Sequence, residues 1–264
     1  MDPTEMDITK VREATRALRG RRVIMADPDE LIDTVAAHLI EAAKQRLGSD
    51  DHFHLALSGG STPLNLYRRL VIDPRFRAMP WQQTHLWQVD ERCVDHDNEL
   101  SNFRMLREYL VDHVPIPGSH IHPMPATTPG GEAQYELALR DLLPDGPDDQ
   151  RLDYILLGMG SDGHTASLFP RSDPLCERDC WIATVDGPTV APPRPRMTMT
   201  FPLINAAREV AILVIGEKKR AAIQHICLAD RDVQRMPITG VQPSHDDAEL
   251  IWYLDHAASP GSGD

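Results

Sequence analysis

Short apolar runs that resemble β-strands alternate with helix-like segments along most of this 264-residue chain. A long helix is predicted to begin at Asp27, because Asp27, Pro28 and Glu30 form a cap, N1 and N3 set. Such alternation predicts an α/β fold with a mostly parallel, Rossmann-like sheet and helices on both faces. Ligands of these folds bind beyond the carboxyl ends of the strands, so the turns that follow strands are the candidate sites. The predicted strands are residues 23–26, 52–57, 85–89, 154–157, 210–215 and 250–254, and the other predicted helices are 101–113, 131–142 and 217–228.

Composition and loop placement favour one domain. Hydrophobic residues make up 41% of the chain, enough to bury a core. The turn-rich stretches 114–130, 143–149 and 187–195 are predicted to be loops rather than linkers, because composition and periodicity do not change across them. We therefore expect a single α/β domain over residues 1–256 and a disordered tail over residues 257–264.

The first dense turn is LSGGSTP, at the end of the second predicted strand. Thr62 is a good N-cap and Pro63 a good N1 residue for the helix that follows. The unpaired backbone N–H groups at the start of that helix would form a binding site for an anion such as phosphate. The alternative is a plain capped turn. The residues that would bring the backbone and hydroxyl groups to the anion are Ser58, Gly59, Gly60, Ser61 and Thr62.

The second dense turn is LGMGSDGHTASLFP, which matches the dinucleotide pattern G-x-G-x-x-G. Only six residues separate Gly163 from Pro170, too few for the helix that holds a pyrophosphate, so a short helical turn is expected there. The glycines would instead expose Asp162 and His164 at a strand end, where a histidine can accept a proton from water. The alternative is a structural histidine whose neighbours satisfy it.

Charged side chains follow two further strands. Asp90, Glu91 and Arg92 could supply a general acid, a hydroxyl acceptor and a phosphate clamp, or only a surface ion pair. Four further basic residues could either be cations of a ligand pocket or belong to a solvated face of the protein; they are Arg194, Arg196, Lys218 and Lys219. The net charge of −13 disfavours nucleic acid and anionic membranes as partners, so an anionic ligand needs a local basic pocket.

Metal and serine chemistry are disfavoured. The pairs His52/His54 and His120/His122 would each share one face of an extended segment, but neither has a third ligand in an obvious constellation. No serine has the G-x-S-x-G surroundings of a nucleophile elbow.

Cysteine usage and the first thirty residues bear on location. The four cysteines show neither a disulfide framework nor paired metal spacing, with Cys176 and Cys180 only a weak zinc pair. No signal core or membrane-length apolar run is visible. We expect a cytoplasmic protein.

The sequence contains an ordered set of blocks, which are LSGGSTP, VDER with SNFRM, LGMGSDGHTASLFP, PRMTMTFPLIN and GEKKRAA. Together they resemble the bacterial type of the 6-phosphogluconolactonase family, and the resemblance runs from the thirties to about residue 256. The resemblance implies a fold related to glucosamine-6-phosphate deaminase and ribose-5-phosphate isomerase. It also implies hydrolysis of 6-phosphogluconolactone without a cofactor. The sequence departs from the family pattern at Val89, where a glycine is common, and in RMPITGVQP, which leaves the shape of the pocket open.

The resemblance also assigns roles. His164 would be the general base that activates water, with Asp162 orienting the histidine or setting its turn. Phosphate would bind the Gly59–Thr62 turn, with Arg92, Arg196 and Lys219 as cationic partners and Lys219 preferred to Lys218 from family spacing. Asp90 or Glu91 would then bind the ring hydroxyls.

Two other functions of this fold remain open, a sugar-phosphate deaminase or isomerase and a noncatalytic sugar-phosphate sensor. SLFP at residues 167–170 favours the lactonase over the deaminase within the resemblance, and no basic DNA-binding segment of a sensor is visible. The expected partner is a small-molecule substrate, and a monomer is favoured.

Overall fold

The computed structural model describes residues 13–48, 51–144, 150–187, 194–228 and 232–260. Its centre is a seven-stranded sheet in the order β1-β10-β9-β6-β2-β3-β5, in which every neighbouring pair is parallel. The predicted mostly parallel sheet is therefore confirmed. These strands are β1 (Arg21–Met25), β2 (Phe53–Leu57), β3 (Thr84–Gln88), β5 (Ile121–His122), β6 (Tyr154–Gly158), β9 (Glu209–Val214) and β10 (Glu249–Asp255).

A second sheet of three antiparallel strands lies beside the first, and the sequence patterns did not predict it. Its strands are β4 (Asp90–Arg92), β8 (Arg196–Met199) and β7 (Ile182–Val185), in the order β4-β8-β7. β4 follows β3 after a single residue, so the small sheet continues from the carboxyl end of a central strand. The strands are three or four residues long, too short for a periodicity argument.

Helices cover both faces of the large sheet. On one face, Phe53, Leu55 and Leu57 of β2 pack in a core with α1, α2 and α3. On the other face, Trp87 and Ile155 pack in a core with α4, α5 and α6. Because both faces are covered, every residue of β2 is buried. The helices are α1 (Pro28–Arg46), α2 (Ser61–Ile72), α3 (Asn102–Tyr109), α4 (Gly131–Leu142), α5 (Phe201–Ala206) and α6 (Arg220–Leu228).

The helix boundaries follow the sequence signals only in part. The helix predicted over 101–113 ends at Tyr109, and the one predicted over 217–228 begins at Arg220, with short 3-10 turns among the remaining residues. Asp27 caps α1 by accepting a hydrogen bond from the backbone N–H of Asp29, as predicted. The prediction that Thr62 caps α2 is wrong: the cap is Gly60, at φ 98°, and α2 begins at Ser61. Gly60 adopts this left-handed φ without steric cost, so the chain turns into the helix two residues earlier than a threonine cap would allow.

Residues 257–260, the first part of the segment expected to be a disordered tail, pack against the domain. Residues 257–260 form turns, and Ala258 and Ser259 are fully buried. The carboxylate of Asp255 accepts hydrogen bonds from the backbone N–H groups of Ala258 and Gly216. Residues 261–264, and parts of two predicted loops at 145–149 and 188–193, lie outside the described residues.

No helix in the described part of the chain has both the length and the apolar character that crossing a membrane requires.

Candidate active site

A cleft of about 220 Å³ opens at the carboxyl edge of the large sheet, where the turns after β2, β3, β6 and β9 meet. The cleft therefore lies beyond the carboxyl ends of the strands, where the α/β pattern predicted a ligand site. Of the predicted site residues, nine line the cleft and three, Asp162, Glu91 and Arg196, do not. The nine are Ser58, Gly59, Gly60, Ser61, Thr62, Asp90, Arg92, His164 and Lys219.

The turn between β2 and α2 forms one wall. Because Gly60 is the cap and carries no side chain, the first backbone N–H groups of α2, at Ser61 and Thr62, have no side-chain cap among the described residues. The Ser58 hydroxyl is also buried without a hydrogen-bond partner in the described structure. The side of the cleft at the positive end of the helix dipole thus carries several donors for an anion.

Asn102, which the sequence reasoning did not single out, joins this wall to the next. Its Nδ2 donates to the backbone O of Asp90 at 2.9 Å, and its Oδ1 accepts from Nη1 of Arg92 at 2.6 Å. A Cβ on Gly59 would lie 2.0 Å from this Oδ1, so Gly59 is required by the close approach of the amide. Asn102 stood within the SNFRM block, but nothing in its local pattern marked it as polar and cleft-facing.

Glu91 and Asp90 are adjacent but face different surroundings. Glu91 is fully buried and accepts from the backbone N–H groups of Asn102 and Phe103 at 2.7 Å, which fixes the start of α3. Asp90 lines the cleft, and its Oδ2 accepts from the Ser167 hydroxyl at 2.6 Å. Burial raises the pKa of Asp90, and the bond from Ser167 opposes that rise. Of the two acids, the geometry leaves only Asp90 able to meet a ligand.

The cations around the cleft also divide into two groups. Arg92 lines the cleft, and both of its side-chain hydrogen bonds, to Asn102 and to the backbone O of Leu100, use Nη1. Arg196 stands opposite Arg92 in the β4–β8 pair but is not a lining residue. Lys219 lines the cleft and burial lowers its pKa, whereas Lys218 is exposed. The preference for Lys219 over Lys218 thus agrees with the placement of the two side chains.

His164 is held by the second glycine-rich turn. Its Nδ1 lies 2.6 Å from Oδ1 of Asp162, and this hydrogen bond lowers the pKa of Asp162 to about 2. An ionised carboxylate can only accept, so Nδ1 of His164 donates this bond, and in the neutral form of the ring the lone pair is on Nε2. The imidazole is thereby set to act as a base through Nε2.

The glycines of this turn make room for the His164 side chain and for the sharp bend of the backbone. A Cβ on Gly160 would lie 2.1 Å from Nδ1 of His164, and Gly163 has φ 79°. The short helical turn expected after Gly163 is instead a turn closed by a bridge between Thr165 and Leu168. The residues that follow therefore return to the cleft, where Ala166 lines the wall.

Together these groups can bind a small anionic molecule and remove a proton from water beside it. Anion donors lie on the β2–α2 turn, cations at Arg92 and Lys219, and the proton acceptor on the β6 turn. Among the described residues around the cleft, no second imidazole stands beside His164.

Comparisons with known proteins show the family of this chain. Residues 26–252 match the family described as glucosamine-6-phosphate isomerases/6-phosphogluconolactonase. A 6-phosphogluconolactonase of Synechocystis is 42% identical over 210 residues, which cover 77% of this chain and 82% of that protein. A GDH/6PGL endoplasmic bifunctional protein of Oryctolagus cuniculus is 39% identical over 251 residues, which cover 92% of this chain but only 30% of the relative.

The fold has solved counterparts. A crystal structure of 6-phosphogluconolactonase from Thermotoga maritima superposes with a TM-score of 0.72 at 26% sequence identity, covering 89% of this chain and 99% of that one.

Proposed function

The chain belongs to the family of glucosamine-6-phosphate isomerases and 6-phosphogluconolactonases, and we propose that it hydrolyses 6-phospho-D-glucono-1,5-lactone to 6-phospho-D-gluconate, a step of the oxidative pentose phosphate pathway. The observation that carries the proposal is that His164, which lines the cleft beside the anion donors of the β2–α2 turn, is paired with Asp162 at 2.6 Å. Relatives and solved structures named as 6-phosphogluconolactonases support it.

The reaction needs one proton acceptor that later becomes a donor. Nε2 of His164 takes a proton from a water molecule as its oxygen attacks the lactone carbonyl carbon. The tetrahedral intermediate then collapses, the ring C–O bond breaks, and the departing oxygen receives the proton from His164. Asp162 stabilises the imidazolium that exists between the two transfers and keeps the ring in one orientation.

The phosphate is placed at the start of α2. The backbone N–H groups of Ser61 and Thr62 and the unpartnered hydroxyl of Ser58 donate to it, and Arg92 and Lys219 supply opposite charge. A protein with net charge −13 repels a phosphorylated sugar at long range, so this local basic cluster is what allows binding.

The ring hydroxyls of the substrate are assigned to Asp90. Its carboxylate is buried at the cleft wall, and among the described residues its Oδ1 accepts a side-chain hydrogen bond from Nδ2 of Asn102 at 3.2 Å. Arg196 reinforces the positive field from behind Arg92 and does not contact the phosphate in this arrangement.

The test compares two reactions on the purified chain. Freshly generated 6-phosphogluconolactone should be hydrolysed well above the spontaneous rate, glucosamine 6-phosphate should release no ammonia, and unphosphorylated gluconolactone should be a much poorer substrate. Ammonia release without lactone hydrolysis would identify a deaminase. Binding of either sugar phosphate without turnover would identify a sensor and refute the proposal.

We also infer that residues 1–256 act as one domain, because the cleft draws its walls from residues as distant as Ser58 and Lys219. A cytoplasmic location is supported by four cysteines that carry free thiols, as a reducing compartment maintains them. Some relatives bear endoplasmic or chloroplastic names, so fractionation of the producing cells is the direct test. Size-exclusion chromatography with light scattering tests the monomer.

A further inference from the structure

Five histidines gather at the amino edge of the large sheet, the edge opposite to the cleft. His52 precedes β2 and His54 lies within it, His85 lies in β3, and His120 precedes β5, in which His122 lies. Pairing places His54 beside His85 across β2 and β3. Because residues two apart point to the same face of a strand, all five imidazoles share one face of the sheet.

Three of these rings converge. One ring nitrogen from each of His52, His85 and His120 lies within 4.8 Å of the others. Nε2 of His85 is 3.1 Å from Nδ1 of His52, and the rings of His85 and His120 stack with centroids 4.1 Å apart. Two nitrogens bound to one tetrahedral zinc at 2.0–2.1 Å are separated by about 3.3 Å. The His52–His85 pair has nearly that separation, whereas the full set of three spans up to 4.8 Å, so the rings must rotate to bring all three nitrogens to one ion.

The surrounding contacts orient these rings as the second sphere of a metal site does. Nδ1 of His85 is hydrogen-bonded to Nε2 of His122 at 2.9 Å, so His85 can donate there and keep its Nε2 lone pair toward His52. Trp87 donates from its indole N–H to Nδ1 of His54 at 3.2 Å, which fixes the neighbouring ring. Nδ1 of His120 is buried and has no hydrogen-bond partner among the described residues. A buried, unpartnered ring nitrogen in such a cluster is an unused ligand.

The ligand type indicates which ion would bind. Imidazole nitrogen is a ligand that late first-row divalent ions prefer, and zinc can hold three protein nitrogens with water in the fourth position. His52 is exposed, so an ion can reach this cluster from the solvent.

We propose that His52, His85 and His120 bind one Zn²⁺ ion, with water in the fourth position, at a site separate from the cleft. The sequence argument against metal considered only the pairs His52/His54 and His120/His122 and found no third ligand. That argument is wrong on this point, because β3 lies between β2 and β5 in the sheet and brings His85 between the two pairs. The site joins the ends of β2, β3 and β5, and would stabilise that edge of the sheet without taking part in hydrolysis.

The test uses the full chain without a histidine tag, stripped with a chelator and titrated with ZnCl₂ by calorimetry, with metal content measured after dialysis. We expect one zinc per chain and at least roughly tenfold weaker binding in His120→Ala and in His52→Ala. His52 is exposed, so its replacement opens no cavity in the core. Circular dichroism checks that both variants fold.

Two controls separate this site from ordinary histidine binding and from the cleft. His225→Ala removes an exposed histidine on α6, and His164→Ala removes the cleft histidine; both should retain wild-type zinc affinity. Zinc should also raise the melting temperature of the wild type and of both controls, but not of His120→Ala. Zinc binding that is lost in His164→Ala but kept in His120→Ala would place the metal in the cleft. Either that result or the absence of stoichiometric binding would overturn the proposal.

Discussion

Replacing Gly59 by alanine tests the packing that links the β2–α2 turn to Arg92. The new Cβ would lie 2.0 Å from Oδ1 and 2.6 Å from Nδ2 of Asn102, distances that no real contact allows. Asn102 is 2% exposed and is bonded to both Arg92 and the backbone of Asp90, so it cannot move without losing those bonds. The substitution must therefore displace either the amide or the turn.

The expected cost follows from these contacts. Overpacking of a closed site costs about 1–3 kcal/mol, and a hydrogen bond to a charged group such as Arg92 contributes about 1.5–3 kcal/mol. Because the amide can relax partly, we expect a total of about 2–4 kcal/mol rather than the full sum. For a chain of this size that corresponds to a melting temperature roughly 5–12 °C lower. Loss of the bond that positions Arg92 should also raise the KM for the lactone about tenfold, which is about 1.4 kcal/mol.

Thermal melts and steady-state kinetics on the wild type and four variants measure this effect. Gly118→Ala is the matched control, because a Cβ there meets nothing within 4 Å, and it should melt within about 2 °C of the wild type. In an Asn102→Ala background the clash partner is gone, so adding Gly59→Ala should cost little more. Equal costs of Gly59→Ala with and without Asn102 would refute the reasoning.

Three other changes have defined outcomes. Arg92→Ala should raise KM at least roughly tenfold in steady-state assays, because a charge-assisted phosphate contact is lost. Arg107→Ala should not raise it, because the half-buried Arg107 pairs with Asp97 and does not line the cleft. Asp162→Ala should lower kcat roughly 10–100-fold with little change in KM. Asp162→Asn should lower kcat less, because its amide oxygen can still accept a hydrogen bond from Nδ1 of His164. Equal kcat in the wild type and both variants would contradict the positioning role of Asp162. Burial raises the pKa of Glu209 to about 7, so the wild type loses stability as pH rises from about 4.5 to 7. Melts of Glu209→Gln should then show a gain of at most about 3 kcal/mol at pH 8 that disappears by pH 4.5, and a gain equal at both pH values would contradict the titration.

The large sheet could be predicted because its strands are apolar runs long enough to show a period. All six predicted strands occur within two residues of their expected ends. β5 has two residues and the strands of the small sheet have three or four, so their existence depends on pairing partners distant in sequence. Local pattern carries no such information.

Most of the candidate site could also be predicted, because glycine turns after buried strands have a recognisable composition. What the sequence could not show is the direction in which adjacent side chains point. Asp90 and Glu91 are neighbours of the same type, yet one lines the cleft and the other is buried under α3. Asn102 and His85 were missed for the same reason, since each acquires its partners only when the chain is folded.

The central claim, that His164 is the general base of a lactone hydrolase, is tested most directly by the turnover of His164→Ala. The variant should keep the wild-type circular dichroism spectrum, since His164 lies at the surface of the cleft, and its kcat should fall roughly 10²–10⁴-fold after the spontaneous hydrolysis of the lactone is subtracted. Its KM should change little, because the phosphate contacts lie on the β2–α2 turn and at Arg92. Turnover near that of the wild type would contradict the account. The general base would then have to be sought at Asp90, whose carboxylate lines the cleft.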